Sequence, residues 1–413
     1  MDFWLIFTII DWLLFIGVAL TVLYILFYSI ASLFSRHSNV PKAKRQNRFV
    51  VLIPAYKQDK DILQTVTSIL GQTYPQRMFD VTVISDHQSE MTNMHLAQYP
   101  ITLLTPNFEK SSKAKSLQYA ILNLPEFKIY DTVVILDANN IVEPEFLEQL
   151  NDAYENSGTK AILVHRLPKN RDTASARLDS VFEEINNSIF RRGHNTLGLS
   201  AAIMGSGVAY DFNWFKSNIM NTRTAGEEKE LEAMLMRQQI FVDYFDDIHI
   251  YDEKTRQIDD FNKQRGRWAS HQIRSLVSNI HYLPSAIINS QYDWVDKIIQ
   301  WMLIPRMILM IIIFLACAIL PFIYFTMAIK WWLIAIVCGF AFALATPDVL
   351  VDKNWDSDFL TLPFRTLKSL LGMAGVNLPD INLPSIKLPS IKFPKFKLPS
   401  TKLPKKTLKR PKP

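Results

Sequence analysis

Several stretches of the chain carry residue types that can do chemistry. Asp86 and Asp137 each close an apolar run of strand length, and Asp137 is followed by Ala138, Asn139 and Asn140. Glu227 and Glu228 open a segment whose apolar positions, Leu231, Met234 and Leu235, recur at helical spacing. Further on stand Gln264, Arg265, Gly266, Arg267 and Trp268. Acids at strand ends either hold a divalent cation or form turns and caps. Acids in a first helical turn either take a proton or only complement the macrodipole. Two guanidiniums can clamp a diphosphate. An indole offers a flat face to a ring or anchors at a membrane interface.

These residues need a scaffold, and residues 49–272 read as one. Phe49–Pro54, Val81–Ser85, Ile101–Leu104 and Thr132–Leu136 are apolar runs of strand length, separated by helical patterns at 61–71, 111–124 and 144–155. Alternating strands and helices predict a largely parallel α/β sheet, in which ligands sit beyond the carboxyl ends of the strands. Asp86 and Asp137 then face one crevice. Gly205–Ser206–Gly207 is either a close-approach loop or a plain turn. His249 near a strand end is either a metal ligand or structural, and Lys113 is either a phosphate contact or part of a solvated helix face.

Around this body the chain is apolar. The sequence has 413 residues, 49% hydrophobic and 12% aromatic, which excludes disorder throughout. Residues 12–34 carry no charge and are long enough to cross a hydrocarbon core of about 30 Å. A cleaved signal peptide is disfavoured by the length of the run and by Asp2 before it. The first span is placed at residues 1–35 and a basic linker at 36–48. Residues 300–346 predict two further spans, built on apolar runs at 302–325 and 331–346; one span plus a buried helix is the alternative. Residues 273–299 and 347–376 predict interfacial helices; in the latter, Phe364, Leu367, Leu370 and Leu371 oppose Arg365, Lys368 and Ser369. Five Lys/Arg between Arg36 and Arg48 predict that the body is cytoplasmic.

The net charge of +6 belongs to the end of the chain. Ile381–Pro413 holds ten basic residues and no acid, leaving 35 basic against 39 acidic residues elsewhere. Nothing therefore points the body at nucleic acid. Prolines at 379, 384, 389, 394, 399 and 404 exclude helix over 377–413. This segment is predicted to be an extended, disordered cationic tail on anionic lipid, or else a solvated end. The two cysteines, Cys317 and Cys338, both lie in apolar runs, so no disulfide framework arises.

Taken in order, the motifs resemble the membrane-bound family 2 glycosyltransferases: cellulose, chitin, hyaluronan and poly-N-acetylglucosamine synthases. The stretch IPAYKQDKDILQTVTSILGQTYP is similar to the family's opening strand and helix. Lys113–Gln118 resembles Gly-Lys-Ala-x-Ala-Leu-Asn, and Ile135–Asn139 resembles the Asp-x-Asp strand. Glu227–Glu228 resembles the Glu-Asp pair. Gln264–Trp268 matches Gln-x-x-Arg-Trp, 36 residues beyond Glu228.

The resemblance implies a GT-A-like (Rossmann-like) nucleotide-sugar domain flanked by three transmembrane helices in an inner (plasma) membrane. It implies an inverting transfer of a hexose or N-acetylhexosamine from a nucleotide sugar, UDP-linked, to a glycan or polyprenyl-linked acceptor. Glu228 and Glu227 are the implied catalytic acids. Pro54, Tyr56, Asp86, Lys113, Asp137, Gln264, Arg265, Arg267 and Trp268 are the implied donor site. Gly205, Ser206, Gly207 and Trp268 are the implied acceptor side. Asp137, Asn139 and His249 are the implied ligands of a divalent cation, Mg²⁺ or Mn²⁺. Three spans are few to enclose a polymer channel, so export implies a partner subunit or a dimer.

Three positions depart from the pattern. Asn139 replaces the second Asp, Glu228 replaces the Asp of Glu-Asp, and Lys57–Gln58 replaces Asn-Glu. They leave a second class open, a catalytically weak or inactive transferase-like domain that acts as a membrane scaffold or binding subunit.

Overall fold

The computed structural model describes residues 3–35, 40–224 and 226–346. The interfacial segment 347–376 and the tail 377–413 expected from sequence lie outside the described residues.

The body is built on one sheet of eight strands. They are β1 (Phe49–Tyr56), β2 (Phe79–Asp86), β3 (Thr102–Leu104), β4 (Thr132–Ile135), β5 (Ile141–Val142), β6 (Ala161–Pro168), β7 (Val208–Asp211) and β8 (Val242–Asp252), in the order β3-β2-β1-β4-β7-β6-β8-β5. β1 pairs in parallel with β2 and β4, β2 with β3, and β6 with β8; β7 runs antiparallel between β4 and β6, and β5 antiparallel to β8. β1 reads as a continuous apolar run because both its faces are covered. Val50 and Leu52 pack with Leu117 and Ile121 on one face, while Val51 and Ile53 pack with Ile62, Val66 and Leu150 on the other. The parallel half matches the four runs expected from sequence. The antiparallel β7 comes from a later part of the chain and joins β4 to β6 within the sheet.

Three helices, Trp4–Ser32, Arg306–Ile323 and Phe325–Ala345, are long and apolar enough to cross a membrane. Two of their boundaries differ from the uncharged runs at 12–34 and 331–346, because a charge lies inside each helix. Asp11 forms an ion pair with Lys330 and accepts a hydrogen bond from Trp331 Nε1 at 2.9 Å. Lys330 also lies 3.8 Å from the centre of the Trp12 ring. The two charges cancel between helices, so neither ends its apolar helix. The domain boundary expected at 272 falls inside a continuous helix, Ile258–Asn279.

The helix Trp4–Ser32 is joined to the body by close packing. A π-helical turn, Asn187–Gly193, lies against it, and a Cβ on Gly193 would sit 2.5 Å from the Tyr28 carbonyl oxygen. The His194 ring stacks on Tyr28 with centroids 3.7 Å apart. Tyr24 and Tyr28 both donate to Asp296 Oδ1, at 2.8 and 2.9 Å, on the helix Tyr292–Met302.

Breaking the Asp11–Lys330 pair on one side leaves a buried charge unmatched. Lys330→Met is expected to cost about 3–5 kcal/mol, and the double variant Asp11→Leu/Lys330→Met to recover most of it. Thermal unfolding of the detergent-extracted protein reads both.

Candidate active site

The carboxyl ends of the parallel strands open onto a cavity of about 400 Å³. Its wall includes Pro54, Tyr56, Asp86, Lys113, Asp137, Asn139 and Gln264, all expected from sequence, and also Arg166, Asp179 and Asp252. Local structure explains their placement. Ser112 caps the helix Lys113–Asn123 by accepting from Lys115 N, which sets Lys113 at the first helical position. Asp137 follows β4, and its backbone N–H donates to Asn140 Oδ1 at 3.1 Å and to Ser206 Oγ at 2.9 Å. Asp86 ends β2 almost fully buried; its Oδ1 lies 2.5 Å from His87 Nδ1, and its Oδ2 has no partner among the described residues.

Asp137 is held by cations. Lys113 Nζ pairs with it and donates to the Gly205 carbonyl at 2.7 Å. Arg166 stands 3.7 Å from Asp137 Oδ2 and 3.0 Å from Asp252 Oδ2. Burial alone would raise the Asp137 pKa, but Lys113 and Arg166 reverse that and hold it below the ordinary value. Burial likewise disfavours the Lys113 cation, and Asp137 and Glu227 more than restore it.

A second cavity, of about 460 Å³, lies beside the apolar helices Trp4–Ser32 and Arg306–Ile323. Glu228, Gly205, Arg265, Trp268 and His271 line it, and Arg166 lines both cavities. Glu227 and Glu228 open the helix Glu227–Arg237 behind Gly226, where a Cβ would sit 2.9 Å from His271 Nδ1. Glycine thus permits the close approach of His271, whose Nδ1 is 3.9 Å from Glu228 Oε1. The two acids diverge. Burial, then the neighbouring Glu228 charge, raises the pKa of Glu227. Glu228 is lowered: burial opposes its charge, but His271 and Lys229 outweigh burial. At neutral pH Glu228 is the ionised member, able to accept a proton, and Glu227 keeps its own.

The structure separates other residues that the sequence grouped. Arg265, Trp268 and Gln272 share one stripe of the helix Ile258–Asn279 and face the second cavity, while Gln264 faces the first. Arg265 pairs with Asp179, so its guanidinium is engaged there; Arg267 is exposed and lines neither cavity. Ser206 and Gly207 are buried supports. Gly207 has φ +69°, and a Cβ there would lie 2.6 Å from Ile250 Cδ1. His249 is not beside Asp137: it sits on β8 opposite His165, with ring centroids 5.6 Å apart, and lines neither cavity.

Among the described residues no three His, Cys, Asp or Glu side chains form a metal cluster. The first cavity nonetheless fits a cation shared with phosphate. Asp137 and Asp252 flank one cationic group, Arg166, and the Asn139 side chain lines the same wall. Mg²⁺ is ordinarily held by one or two carboxylates together with substrate phosphates. Arg166 and Asp252 escaped the sequence reading because each stands in a strand outside the ordered motifs; only the parallel pairing of β6 with β8 brings them together.

This curled, mostly parallel sheet, with acids at the strand ends and a second acidic pair behind them, is a GT-A-type nucleotide-sugar fold. The profile of Glycosyltransferase-like family 2 matches residues 46–270, and the chain belongs to that family of glycosyltransferases. The mannosyltransferase PcManGT of Pyrobaculum calidifontis, solved in complex with GDP-mannose and Mn²⁺, is 15% identical; 88% of this chain and 98% of that one are covered, with a TM-score of 0.52. The S. aureus TarS fragment 1–349 is 14% identical over 79% of this chain and 92% of its own, but its TM-score of 0.38 is too low to argue from. No curated protein sequence matches the chain.

Folding raises the Glu227 pKa, so the stability this group contributes is complete below the ordinary carboxylate range. It is lost as pH rises toward the folded value. Glu227→Gln is expected to flatten that decline and to raise the melting temperature at pH 9 by about 2 °C or more. Melting curves at pH 5 and pH 9 check this.

Proposed function

We propose that the protein is a membrane-bound, inverting glycosyltransferase that moves a hexose or N-acetylhexosamine from a nucleotide sugar, UDP-linked, to a glycan or polyprenyl-linked acceptor. The observation that carries this reading is the pair of cavities meeting at Arg166, one lined by Asp86, Lys113 and Asp137, the other by Glu228.

The nucleotide takes the first cavity. Asp86 Oδ2, buried and without a partner among the described residues, accepts from a base N–H or a ribose hydroxyl. Lys113 and Arg166 face the diphosphate. A divalent cation held by Asp137, Asn139 and Asp252 supplies further neutralisation of the leaving diphosphate when bound. The acceptor hydroxyl approaches from the second cavity and gives its proton to Glu228, and a single displacement inverts the anomeric centre. Tyr56 and Gln264 line the donor cavity as packing and polar contacts, and Trp268 presents its ring to the acceptor.

The three apolar helices support a multi-pass protein of the inner (plasma) membrane. The basic segment 36–48 supports a cytoplasmic catalytic domain. Lipid contacts and a partner subunit for export complete this reading; nucleic acid has no part in it.

Glu228→Gln is nearly isosteric. It is expected to lower kcat by roughly 10²–10⁴ while leaving UDP affinity unchanged, measured by turnover and by calorimetry on the extracted protein. Near-wild-type turnover would remove the base assignment. Asp137→Asn is expected to weaken binding of UDP with Mn²⁺ itself. Asn139→Asp restores a second carboxylate to the turn and is expected to tighten Mn²⁺ binding; unchanged affinity in a folded variant would place residue 139 outside the ion's reach.

A further inference from the structure

We propose that the second cavity binds an anionic lipid: a long hydrocarbon chain ending in a phosphate that carries the accepting sugar hydroxyl. This deepens the reading above and rests on it, because it takes Glu228 as the base.

The cavity joins apolar and charged surface. Ile304, Met307, Ile308 and Ile311 line it from the start of the helix Arg306–Ile323, with Ile25 from the first span. Glu228 and Gly205 line the same space. A hydrocarbon chain therefore has membrane-helix side chains to lie against, in a cavity that also holds the general base.

The charges in its wall leave one cation over. Arg166 is matched by Asp252, Arg191 by Glu183, Lys229 by Glu232 and Arg265 by Asp179. Arg306 bonds only neutral acceptors, the Phe182 carbonyl at 3.3 Å and Asn186 Oδ1 at 2.7 Å, and pairs with no carboxylate among the described residues. It is also the first residue of its helix, where the macrodipole disfavours a cation. Arg265 and Arg306 both lie over the Phe182 ring, 5.3 and 5.0 Å from its centre. Two guanidiniums thus flank one ring, and Arg306 has no ion-pairing carboxylate among the described residues while Arg265 has Asp179. A phosphate answers all three features: it matches Arg306, accepts from first-turn N–H groups, and relieves repulsion between the two guanidiniums.

The transfer balances. The lipid-linked hydroxyl oxygen bonds to the anomeric carbon as the bond from that carbon to the diphosphate oxygen breaks. The electron pair leaves with the nucleoside diphosphate, and the hydroxyl proton goes to the Glu228 carboxylate.

The test uses the full chain in phosphatidylcholine nanodiscs, with intrinsic fluorescence as the readout, since Trp268 and Trp301 line the cavity. The probes are geranylgeranyl phosphate, geranylgeraniol, inorganic phosphate and phosphatidylglycerol. Geranylgeranyl phosphate is expected to bind at least tenfold tighter than the alcohol or phosphatidylglycerol, with no response to inorganic phosphate at equal concentration. Arg306→Gln is expected to remove the preference for phosphate over alcohol. Ile308→Trp, which crowds the apolar wall and leaves Arg306 in place, is expected to weaken geranylgeranyl phosphate about tenfold and so serves if Arg306→Gln does not fold. Equal affinity for phosphate and alcohol, equal affinity for phosphatidylglycerol, a response to inorganic phosphate alone, or unchanged binding in a folded variant would each overturn the proposal. UDP calorimetry on the same preparation separates the failures: UDP bound without lipid selectivity sinks only the lipid site, whereas no UDP binding sinks the donor reading.

Discussion

Arg166 is the residue on which the arrangement of the site depends. It leaves β6 as an isolated cation and lies between Asp137 after β4 and Asp252 at the end of β8, at 3.7 and 3.0 Å. Without a cation between them, two carboxylates so placed would repel, and one of them would hold its proton. With Arg166 and Lys113 in place, Asp137 stays ionised below its ordinary range. The same guanidinium forms part of the wall shared by both cavities, and the Asp179–Arg265 pair spans that wall a second time. The partition between the cavities is therefore electrostatic, made of groups that also suit the leaving diphosphate.

A second chain of contacts ties the acidic helix to the first apolar helix. Glu232, one turn beyond Glu228, is fully buried. It accepts from Ile203 N at 2.8 Å and pairs with Lys229 and with Lys297, at 2.9 and 3.2 Å. Lys297 donates to Gln300, Gln300 donates to Asp296, and Asp296 accepts from Tyr24 and Tyr28 of the helix Trp4–Ser32. A buried ion pair is costly to break on one side, so this chain fixes the position of Glu228 relative to the first apolar helix. The loop before Gly205 is held by the same carboxylate.

The legible part of the fold was the part whose physics is local. β1, β2 and β4 are continuous apolar runs because both faces of the sheet are covered, and the helices between them carry simple periodicity. β8 was not legible: Asp243, Asp246 and Asp247 interrupt its apolar alternation, and their partners, Ser157, His165 and Arg192 among them, come from distant segments. The ends of the apolar helices were not legible for a related reason, since Asp11 and Lys330 each look like a stop until they are seen together. In the site, ordered motifs located Asp86, Lys113, Asp137 and Glu228, which the fold sets around two adjoining cavities. Motif order could not tell which side of a helix faces which cavity, so Gln264 and Arg265 parted. Nor could it find Arg166, Asp252 or Arg306, whose meaning lies wholly in what stands across from them.

The central claim is that a nucleotide sugar bound at the strand ends loses its sugar across Arg166 toward Glu228. The most direct measurement incubates membranes containing the full chain with a panel of radiolabelled nucleotide sugars. The account predicts that at least one donor is consumed, with its label transferred to an acceptor, and that Asp137→Asn membranes consume none. Consumption of no donor in the presence of Mg²⁺ or Mn²⁺, or undiminished transfer by Asp137→Asn, would contradict it.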